Sequence, residues 1–280
     1  MQWPLPTNPL EAFRAAVSRP DDEIDLAHAA LVAAQYEYPG LDPAPTLRLL
    51  DDLAERTVRG AGCSSDAMAQ VQSLIQVLLG PQGLHLRGAR DGIGGNYYDP
   101  CNSFPHTVIE RGVGIPIALS IILISVGARA GIALGGAGMP LHFLVRVLGL
   151  RPPMMIDCYD GGRLLDERAC AETLRILSQG RISFRREMLD IVPNTDVLTR
   201  YLTNLKLIYY DDERYIKAVA VLDRLIVLNP DMLELTCERG KVFYRLGQGE
   251  DARRDLETYL EMAGNPPDAV EVRELLKKIK

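Results

Sequence analysis

Two residues in the middle third of the chain, His142 and Asp157, have side chains that could act together as an acid–base pair. Each lies in a stretch predicted to be a β-strand, and a turn centred between Leu150 and Arg151 would join the two stretches as a hairpin. In that register His142 faces Tyr159, and Asp157 lies two positions from Tyr159 on the same sheet face. A carboxylate beside an imidazole fixes its tautomer and stabilises its charged form, as a general base or a thiol-activating histidine requires. A structural hydrogen bond is the other interpretation of this histidine.

A thiol enzyme of the papain or transglutaminase type would add a cysteine at the N-terminus of a buried helix, where free backbone amides favour the thiolate. We predict a buried helix over residues 116–129, because Pro116 suits a first helical turn and an apolar segment follows it. No cysteine stands at that helix start. Ser120 lies one turn farther along, inside the helix, which favours a core serine. Cys101, in the loop before the helix, is the alternative nucleophile, and an incidental cysteine is the other interpretation.

The elements around this site are predicted from apolar spacing. Residues 1–90 are expected to be helical, with a first helix that begins at the acidic residues 21–23 and ends before Pro39. Two further apolar stripes predict helices over 46–59 and 65–79. The hairpin strands are predicted over 139–148 and 154–159, and the glycine-rich residues 131–138 are predicted to form the turn between helix and strand.

The last third contains a repeat with a period of 34 residues, aligned by placing Pro230 at position 32 of the unit. These units resemble tetratricopeptide repeats, whose small residue at position 20 lets paired helices approach closely. The residues at the helix-packing positions are Tyr209, Ala218, Leu222, Phe243, Ala252 and Leu256. Thr236 and Arg239 are weaker matches. Because a self-supporting stack usually needs three units, we expect these two to lean on the preceding domain.

Four strings of residues occur in order along the chain. They are Asn96-Tyr-Tyr-Asp-Pro-Cys-Asn-Ser103, then residues 108–120, 138–146 and 156–162. The ordered set resembles the bacterial SirB-type family, which joins a transglutaminase-like domain to C-terminal tetratricopeptide repeats. The resemblance implies an α+β fold, with N-terminal helices, a transglutaminase-like (papain-like) core and a C-terminal α-helical repeat pair. The expected parts are residues 1–90, 91–190 and 195–280.

The resemblance also implies roles for individual residues. His142 and Asp157 resemble the histidine and aspartate of the transglutaminase and papain-like triad, whereas Pro116 falls where the nucleophilic cysteine would stand. The triad is then incomplete, which favours a binding or regulatory pseudoenzyme over a hydrolase. The residues expected to line the remnant cleft are Asn96, Tyr97, Asp99, Asn102, His106 and Pro116. A surface position outside the cleft is the other interpretation of His106.

Composition excludes several other classes. With 31 Lys and Arg against 37 Asp and Glu, the chain has no overall cationic field for nucleic acid. Five scattered cysteines without a C-x-x-C pair argue against a disulfide framework or a zinc site, and the four histidines have no ligand spacing. The glycine-rich residues 131–138 lack a phosphate-binding motif, so no cofactor is expected. The uncharged runs 113–128 and 130–145 are too short to span a membrane. No secretory signal is evident, which favours the cytoplasm.

Two functions follow from these observations. The first is a non-catalytic interaction protein that binds a protein or peptide partner through its repeats and its degenerate cleft. The alternative is a thiol-dependent amide hydrolase or acyltransferase using Cys101, His142 and Asp157, in which the thiolate attacks an amide carbonyl and His142 relays the proton. The sequence does not specify the partner, the substrate or the oligomeric state.

Overall fold

The computed structural model describes residues 8–62, 66–90, 96–264 and 266–279. The helices in these ranges are α1 (Pro9–Val17), α2 (Leu26–Ala33), α3 (Pro43–Ala61), α4 (Ala67–Leu78), α5 (Pro105–Arg111), α6 (Pro116–Arg129), α7 (Glu167–Leu177), α8 (Asn194–Asp211), α9 (Tyr215–Leu228), α10 (Leu233–Arg245), α11 (Gly249–Ala263) and α12 (Ala269–Lys278). The strands are β1 (Arg87–Gly88), β2 (Val113–Gly114), β3 (Leu134–Ala137), β4 (Leu144–Val147), β5 (Met154–Asp157) and β6 (Arg163–Leu165). The predicted α+β class is confirmed. Residues 1–7, Cys63, the predicted helix start at 65 and the domain boundary at 91 lie outside the described residues.

The N-terminal helices begin at side-chain caps. Asp25 accepts a hydrogen bond from the backbone N–H of His28 at 3.1 Å, so α2 starts only after that residue. The prediction that a helix begins at the acidic residues 21–23 was wrong, because they form a separate 3₁₀ turn. The Asp21 carboxylate instead accepts hydrogen bonds from the backbone N–H groups of Asn194 and Thr195, at 2.7 and 2.9 Å. It therefore caps α8, a helix far from it in the sequence.

Helix α6 is the centre of the fold, and it spans the residues predicted for it. Every residue from Pro116 to Gly127 is buried, because the segment is apolar on all sides and other elements surround it. Helices α2, α3, α4, α5 and α8 and strands β3 and β4 all pack on it. In the described ranges, no helix combines the length and the apolar character needed to cross a membrane.

Strands β3 to β6 form an antiparallel sheet in that order. In the hairpin of β4 and β5, Val145 lies opposite Ile156, which confirms the predicted register. The strand predicted over 139–148 is shorter, and residues 131–138, predicted as a turn, contain β3. A Cβ on Gly136 would come within 2.7 Å of the Phe143 ring and 2.8 Å of Val197, so a glycine here permits close packing. Because glycines have no side chain, β3 also lacks the alternation of apolar and polar residues by which a strand is predicted.

The repeat region consists of the pairs α8–α9 and α10–α11, followed by α12. The predicted packing residues are buried, except Phe243, which is half-buried. Arg239, a weak match to the repeat pattern, lies on α10 and joins it to two other helices. Its guanidinium contacts Asp223 of α9 at 2.6 Å and Asp255 of α11 at 2.7 Å. An ion-pair bridge therefore replaces the expected apolar contact.

The first repeat shares its core with the preceding elements. Tyr201, Leu202 and Leu205 of α8 are fully buried in the same apolar cluster as α6. Glu37 accepts a hydrogen bond from the Tyr209 hydroxyl at 2.9 Å and pairs with Arg214 at 2.7 Å. The prediction that the repeats lean on the preceding domain is confirmed by this packing.

Candidate functional site

The structure brings His142 and Asp157 into direct contact. Nε2 of His142 lies 2.9 Å from Oδ2 of Asp157, and the two residues are 7% and 3% exposed. His142 immediately precedes Phe143 and β4, and Asp157 ends β5, so the hairpin register positions the pair. The predicted meeting of these side chains is therefore observed, whereas a one-residue shift in register would separate them.

Backbone groups complete the surroundings of Asp157. Its Oδ1 accepts hydrogen bonds from the amides of Tyr159 and Asp160, both at 3.1 Å. Burial acts to raise the pKa of Asp157, but the hydrogen bond from His142 and these two amides outweigh it and lower the pKa below its usual value. The carboxylate is consequently ionised at neutral pH and holds the imidazole in one orientation.

The start of α6 carries no thiol and is closed to solvent. Pro116 occupies the first turn, and the flanking Ile115 and Ile117 are each 1% exposed. Ser120 is a buried core serine whose hydroxyl donates to the carbonyl of Pro116 at 2.8 Å. Cys158 follows Asp157 in the chain but is fully buried, and burial raises its pKa to about 12, so it is a neutral thiol.

Cys101 contacts a different part of the molecule. Its Sγ lies 3.7 Å from the hydroxyl of Tyr38, in the N-terminal helical region, and no hydrogen bond joins it to His142 within the described ranges. Asp99 holds this loop, since it accepts from the Cys101 amide at 2.9 Å and pairs with Arg111 at 2.8 Å. The structure therefore does not join Cys101 to the other two members of the hypothetical triad.

Two of the residues expected to line the cleft, Asn102 and His106, make their contacts away from His142. Asn102 is buried, and its Nδ2 donates to the carbonyl of Asn96 at 3.0 Å. His106 packs edge-on against Tyr38, with ring centroids 4.7 Å apart, and burial lowers its pKa. In the described residues neither Asn102 nor His106 contacts His142 through a hydrogen bond or a ring contact.

An exposed surface adjoins the His142–Asp157 pair. The rings of Tyr97 and Tyr98 lie 5.3 Å apart, Tyr97 lies 6.4 Å from Tyr159, and Tyr159 lies 6.2 Å from His142. Leu141, next to His142 in the chain, is 60% exposed, and Tyr98 is 58% exposed. We call Tyr97, Tyr98, Leu141 and Tyr159 the apolar patch. Of these, the sequence predicted only Tyr97 as a site residue.

Arg200, on helix α8 of the repeat region, contacts the turn that precedes His142. Its two terminal nitrogens donate to the carbonyl of Met139 at 3.2 and 3.1 Å, and its guanidinium lies 5.3 Å from the Phe143 ring centroid. The amide of His142 donates to the same carbonyl at 3.2 Å. Sequence reasoning missed Arg200, because an arginine on an amphipathic helix carries no local signal of a contact with a distant turn. In the described part of the chain, no three His, Cys, Asp or Glu side chains are grouped as metal ligands.

Comparison with known proteins covers most of the chain. Residues 45–203 match the family described as the transglutaminase-like superfamily, and residues 205–277 match the tetratricopeptide repeat. The first match extends into α8, consistent with the core that α8 shares with α6. The boundaries proposed after residues 90 and 190 stay predictions.

Proteins similar to this chain occur in bacteria and in mammals. The chain is similar to a UPF0162 protein of Xylella fastidiosa, with 33% identity over 252 residues, covering 86% of this chain and 85% of that protein. It is 24% identical over 176 residues to Protein SirB1 of Salmonella typhimurium, covering 61% of this chain and 64% of that protein. It is also 25% identical over 270 residues to F-box only protein 21 of Mus musculus, covering 85% of this chain and 41% of that protein. No solved structure matches the chain significantly.

Proposed function

We propose that this chain, which belongs to the transglutaminase-like superfamily and ends in tetratricopeptide repeats, is a non-catalytic protein-interaction protein. The observation that carries the proposal is the start of α6. By the resemblance to the papain-like triad, Pro116 takes the position of the nucleophilic cysteine, and the turn around it is buried.

The His142–Asp157 pair then has a structural role. The carboxylate satisfies an imidazole nitrogen that is nearly inaccessible to water, and this contact joins the turn before β4 to the end of β5. Leaving a buried polar group unpaired costs on the order of 1 to 3 kcal/mol, which is sufficient to favour keeping both residues without catalysis.

The alternative function, a thiol-dependent amide hydrolase or acyltransferase, needs a thiolate in contact with the imidazole. Cys101 is the candidate, and its Sγ contacts the Tyr38 hydroxyl instead. The other described cysteines, Cys158, Cys170 and Cys237, are buried, and burial raises the pKa of each to between about 11 and about 12. These thiols are protonated at neutral pH.

Two surfaces are available for partners. The apolar patch exposes the large side chains of Tyr98 and Leu141 near the His142–Asp157 pair, and exposed apolar surface beside a site of this kind suits a partner. The repeat helices supply the second surface, on which Leu207 of α8 is 52% exposed. We also infer a cytoplasmic location, because the cysteines described in the structure are all free thiols.

The absence of catalysis is tested with the purified full-length chain. Transfer of a fluorescent primary amine to a glutamine-containing protein, and cleavage of amide reporter peptides, are measured for the wild type, Cys101→Ser and His142→Ala. We expect all three to match the rate without protein. Turnover by the wild type that is lost in Cys101→Ser would establish the thiol enzyme instead.

The interaction role is tested with point variants of the whole chain, because truncation after residue 190 would remove α8 from the core. Affinity capture with quantitative mass spectrometry compares the wild type with Tyr98→Ser, Leu141→Ser and Leu207→Ser. Val58→Ser on α3 is the control, since Val58 is 51% exposed but lies outside both surfaces. We expect the control to retain partners that at least one surface variant loses. Identical partner sets in all variants would contradict the proposal.

A further inference from the structure

Arg200 lacks a counterion among the described residues. Other half-buried arginines have carboxylate partners, as Arg129 has in Asp25 and Asp51. The more deeply buried Arg224 has none among the described residues, and its guanidinium instead donates to the Ala220 carbonyl at 2.7 Å and lies 4.9 Å from the Tyr36 ring centroid.

Among the described residues the Met139 carbonyl is the one hydrogen-bond acceptor of Arg200, so within that part of the chain most of its five N–H donors are uncommitted. Arg200 has contacts of the same kind as Arg224, a carbonyl and the Phe143 ring, but it is only half-buried and holds the turn that carries the exposed Leu141. Its remaining donors therefore lie where the anion of a ligand could accept from them.

The turn held by Arg200 connects it to the apolar patch. The Met139 carbonyl that accepts from Arg200 also accepts from the amide of His142, whose ring lies 6.2 Å from that of Tyr159. Tyr97 in turn contacts Tyr98 and Tyr159. The guanidinium therefore lies at the edge of an aromatic surface rather than within an ion-pair network.

The turn bound by Arg200 presents a further apolar side chain. Leu141 has a φ of 64°, in the left-handed region that non-glycine residues rarely adopt, and its side chain is 60% exposed. Strained residues of this kind persist where surrounding contacts hold them and are concentrated at functional sites. Here the holding contacts are the hydrogen bonds from Arg200 and His142 to the Met139 carbonyl.

We propose, building on the interaction role above, that Arg200 and the apolar patch bind a peptide segment of a partner protein that carries an acidic side chain next to an aromatic or aliphatic one. The carboxylate accepts charge-assisted hydrogen bonds from the free donors of Arg200, which suit a planar carboxylate. The adjacent apolar side chain packs on the exposed surface of the apolar patch. The site lies where α8 meets the β3–β4 turn, so repeat and transglutaminase-like elements form it jointly.

Selection from random heptapeptide libraries tests this proposal, with the full-length wild-type chain as bait. One library displays the peptide internally, and a second displays it with a free C-terminus. Enrichment of Asp or Glu beside an apolar residue in the internal library supports a side-chain carboxylate. Enrichment confined to the second library, without an acidic side chain, would assign the anion to a peptide C-terminus and overturn the acidic side-chain requirement.

The affinity of the enriched peptide, made synthetically, is then measured by fluorescence anisotropy against its Glu→Gln or Asp→Asn counterpart. For the wild type we expect at least a tenfold loss on removing the carboxylate, and for Arg200→Gln a difference of less than twofold. Arg200→Lys should retain part of the preference. Arg48→Gln, which removes an exposed arginine on α3, is the matched control and should behave as the wild type. The peptide substitution keeps the test valid even if an Arg200 variant is unstable.

The outcomes separate this inference from the proposed function. Peptides that lose affinity in Tyr98→Ser or Leu141→Ser but are indifferent to their own carboxylate would overturn the role of Arg200 and leave the interaction surface intact. Failure to enrich any peptide above an unrelated bait, or equal binding by the patch variants, would overturn the inference; the capture experiment on the whole chain then decides the proposed function separately.

Discussion

At the scale of single residues, the most informative contact is the one between His142 and Asp157. Its hydrogen-bond distance of 2.9 Å and its low exposure are what a catalytic pair and a structural pair would both show. The proposed function rests on the third member, because a catalytic pair needs an accessible nucleophile and the helix α6 begins with Pro116. The expected consequences are therefore effects on stability.

A double-mutant cycle measures this contact. His142→Ala and Asp157→Asn should each lower the free energy of unfolding by about 1 to 3 kcal/mol, because each leaves a buried polar partner unsatisfied. The double variant should lose less than the sum, since both substitutions remove one shared interaction. Urea denaturation supplies the values. Glu55→Gln, in a pair with Arg59 that is about two-thirds exposed, is the control and should change stability by less than about 0.5 kcal/mol. Strict additivity would mean that the two residues do not interact.

The pH dependence of this contact has a defined sign. The folded pKa of Asp157 is lowered, so its carboxylate contributes stability that is complete above its unfolded pKa of about 3.9. That contribution is lost as pH falls through the lowered folded pKa. We therefore expect the stability difference between the wild type and Asp157→Asn to shrink from about pH 5 toward pH 3. Chemical denaturation across this range measures it, and a difference that widens on acidification would contradict the assignment.

At the scale of elements, glycines and ion pairs decide how closely strands and helices approach. Strand β3 lies against α8 because Gly136 presents no side chain to Val197 or Phe143. In the repeats, Arg239 joins α9, α10 and α11 through Asp223 and Asp255. Neither contact is made by an apolar side chain of the kind expected in a strand or a repeat helix. We expect substitutions at Gly136 and at Arg239 to lower stability.

Gly136→Ala should be destabilising, because the new Cβ would lie 2.7 Å from the Phe143 ring and 2.8 Å from Val197. Overpacking of this kind costs roughly 1 to 3 kcal/mol. The matched control is Gly40→Ala, since nothing lies within 4 Å of a Cβ at that position. Thermal unfolding of the two variants compares them directly, and equal melting temperatures would show that β3 and α8 can separate at little cost.

Arg239→Met should lower the stability of the repeats by about 2 kcal/mol or more. It removes the partner of Asp255, whose side chain is 7% exposed, and breaking a buried ion pair leaves a charge without compensation. Arg254→Met is the control. The side chain of Arg254 is 69% exposed, and exposed ion pairs such as the one it forms with Asp251 contribute little to stability. Hydrogen exchange of α10 and α11 reports the effect. Unchanged protection in Arg239→Met would show that the bridge contributes no net stability.

At the scale of the whole molecule, the repeats and the transglutaminase-like elements form a continuous structure through α8. Asp21 caps the N-terminus of this helix, its middle enters the core around α6, and Glu37 holds Tyr209 near its C-terminus. The first repeat is thus held by three separate parts of the preceding chain, and its unfolding should be coupled to theirs.

Hydrogen exchange of the wild-type chain tests this coupling. Amides in α8 should be protected to the same degree as those in α6, because both helices lie in one apolar cluster and open together. Helix α12, which packs in a separate cluster at the C-terminal end, should exchange faster. Removing the cap by Asp21→Ala should raise exchange in the first turn of α8 by about fivefold, equivalent to about 1 kcal/mol. Protection of α8 that follows α12 instead of α6 would indicate an independent repeat unit.

The sequence by itself determined the features that depend on local spacing. The buried helix over 116–129, the hairpin register that pairs His142 with Asp157, and the 34-residue repeat were predicted because side-chain periodicity and turn residues act over short separations. The sequence also shows that this helix begins with Pro116 and has no cysteine at its start.

Tertiary structure alone decided the contacts between residues far apart in the chain. Asp21 looks like the start of its own helix and caps α8 instead, and Cys101 contacts Tyr38 and not His142. Arg200 meets the turn at Met139 across 61 residues of sequence. Such contacts depend on how complete elements pack, and packing leaves no periodic trace in the segments that it joins. Strand β3 could not be predicted for a related reason. Its glycines allow neighbouring elements to approach closely, but without side chains they give no apolar–polar alternation from which a strand could be predicted.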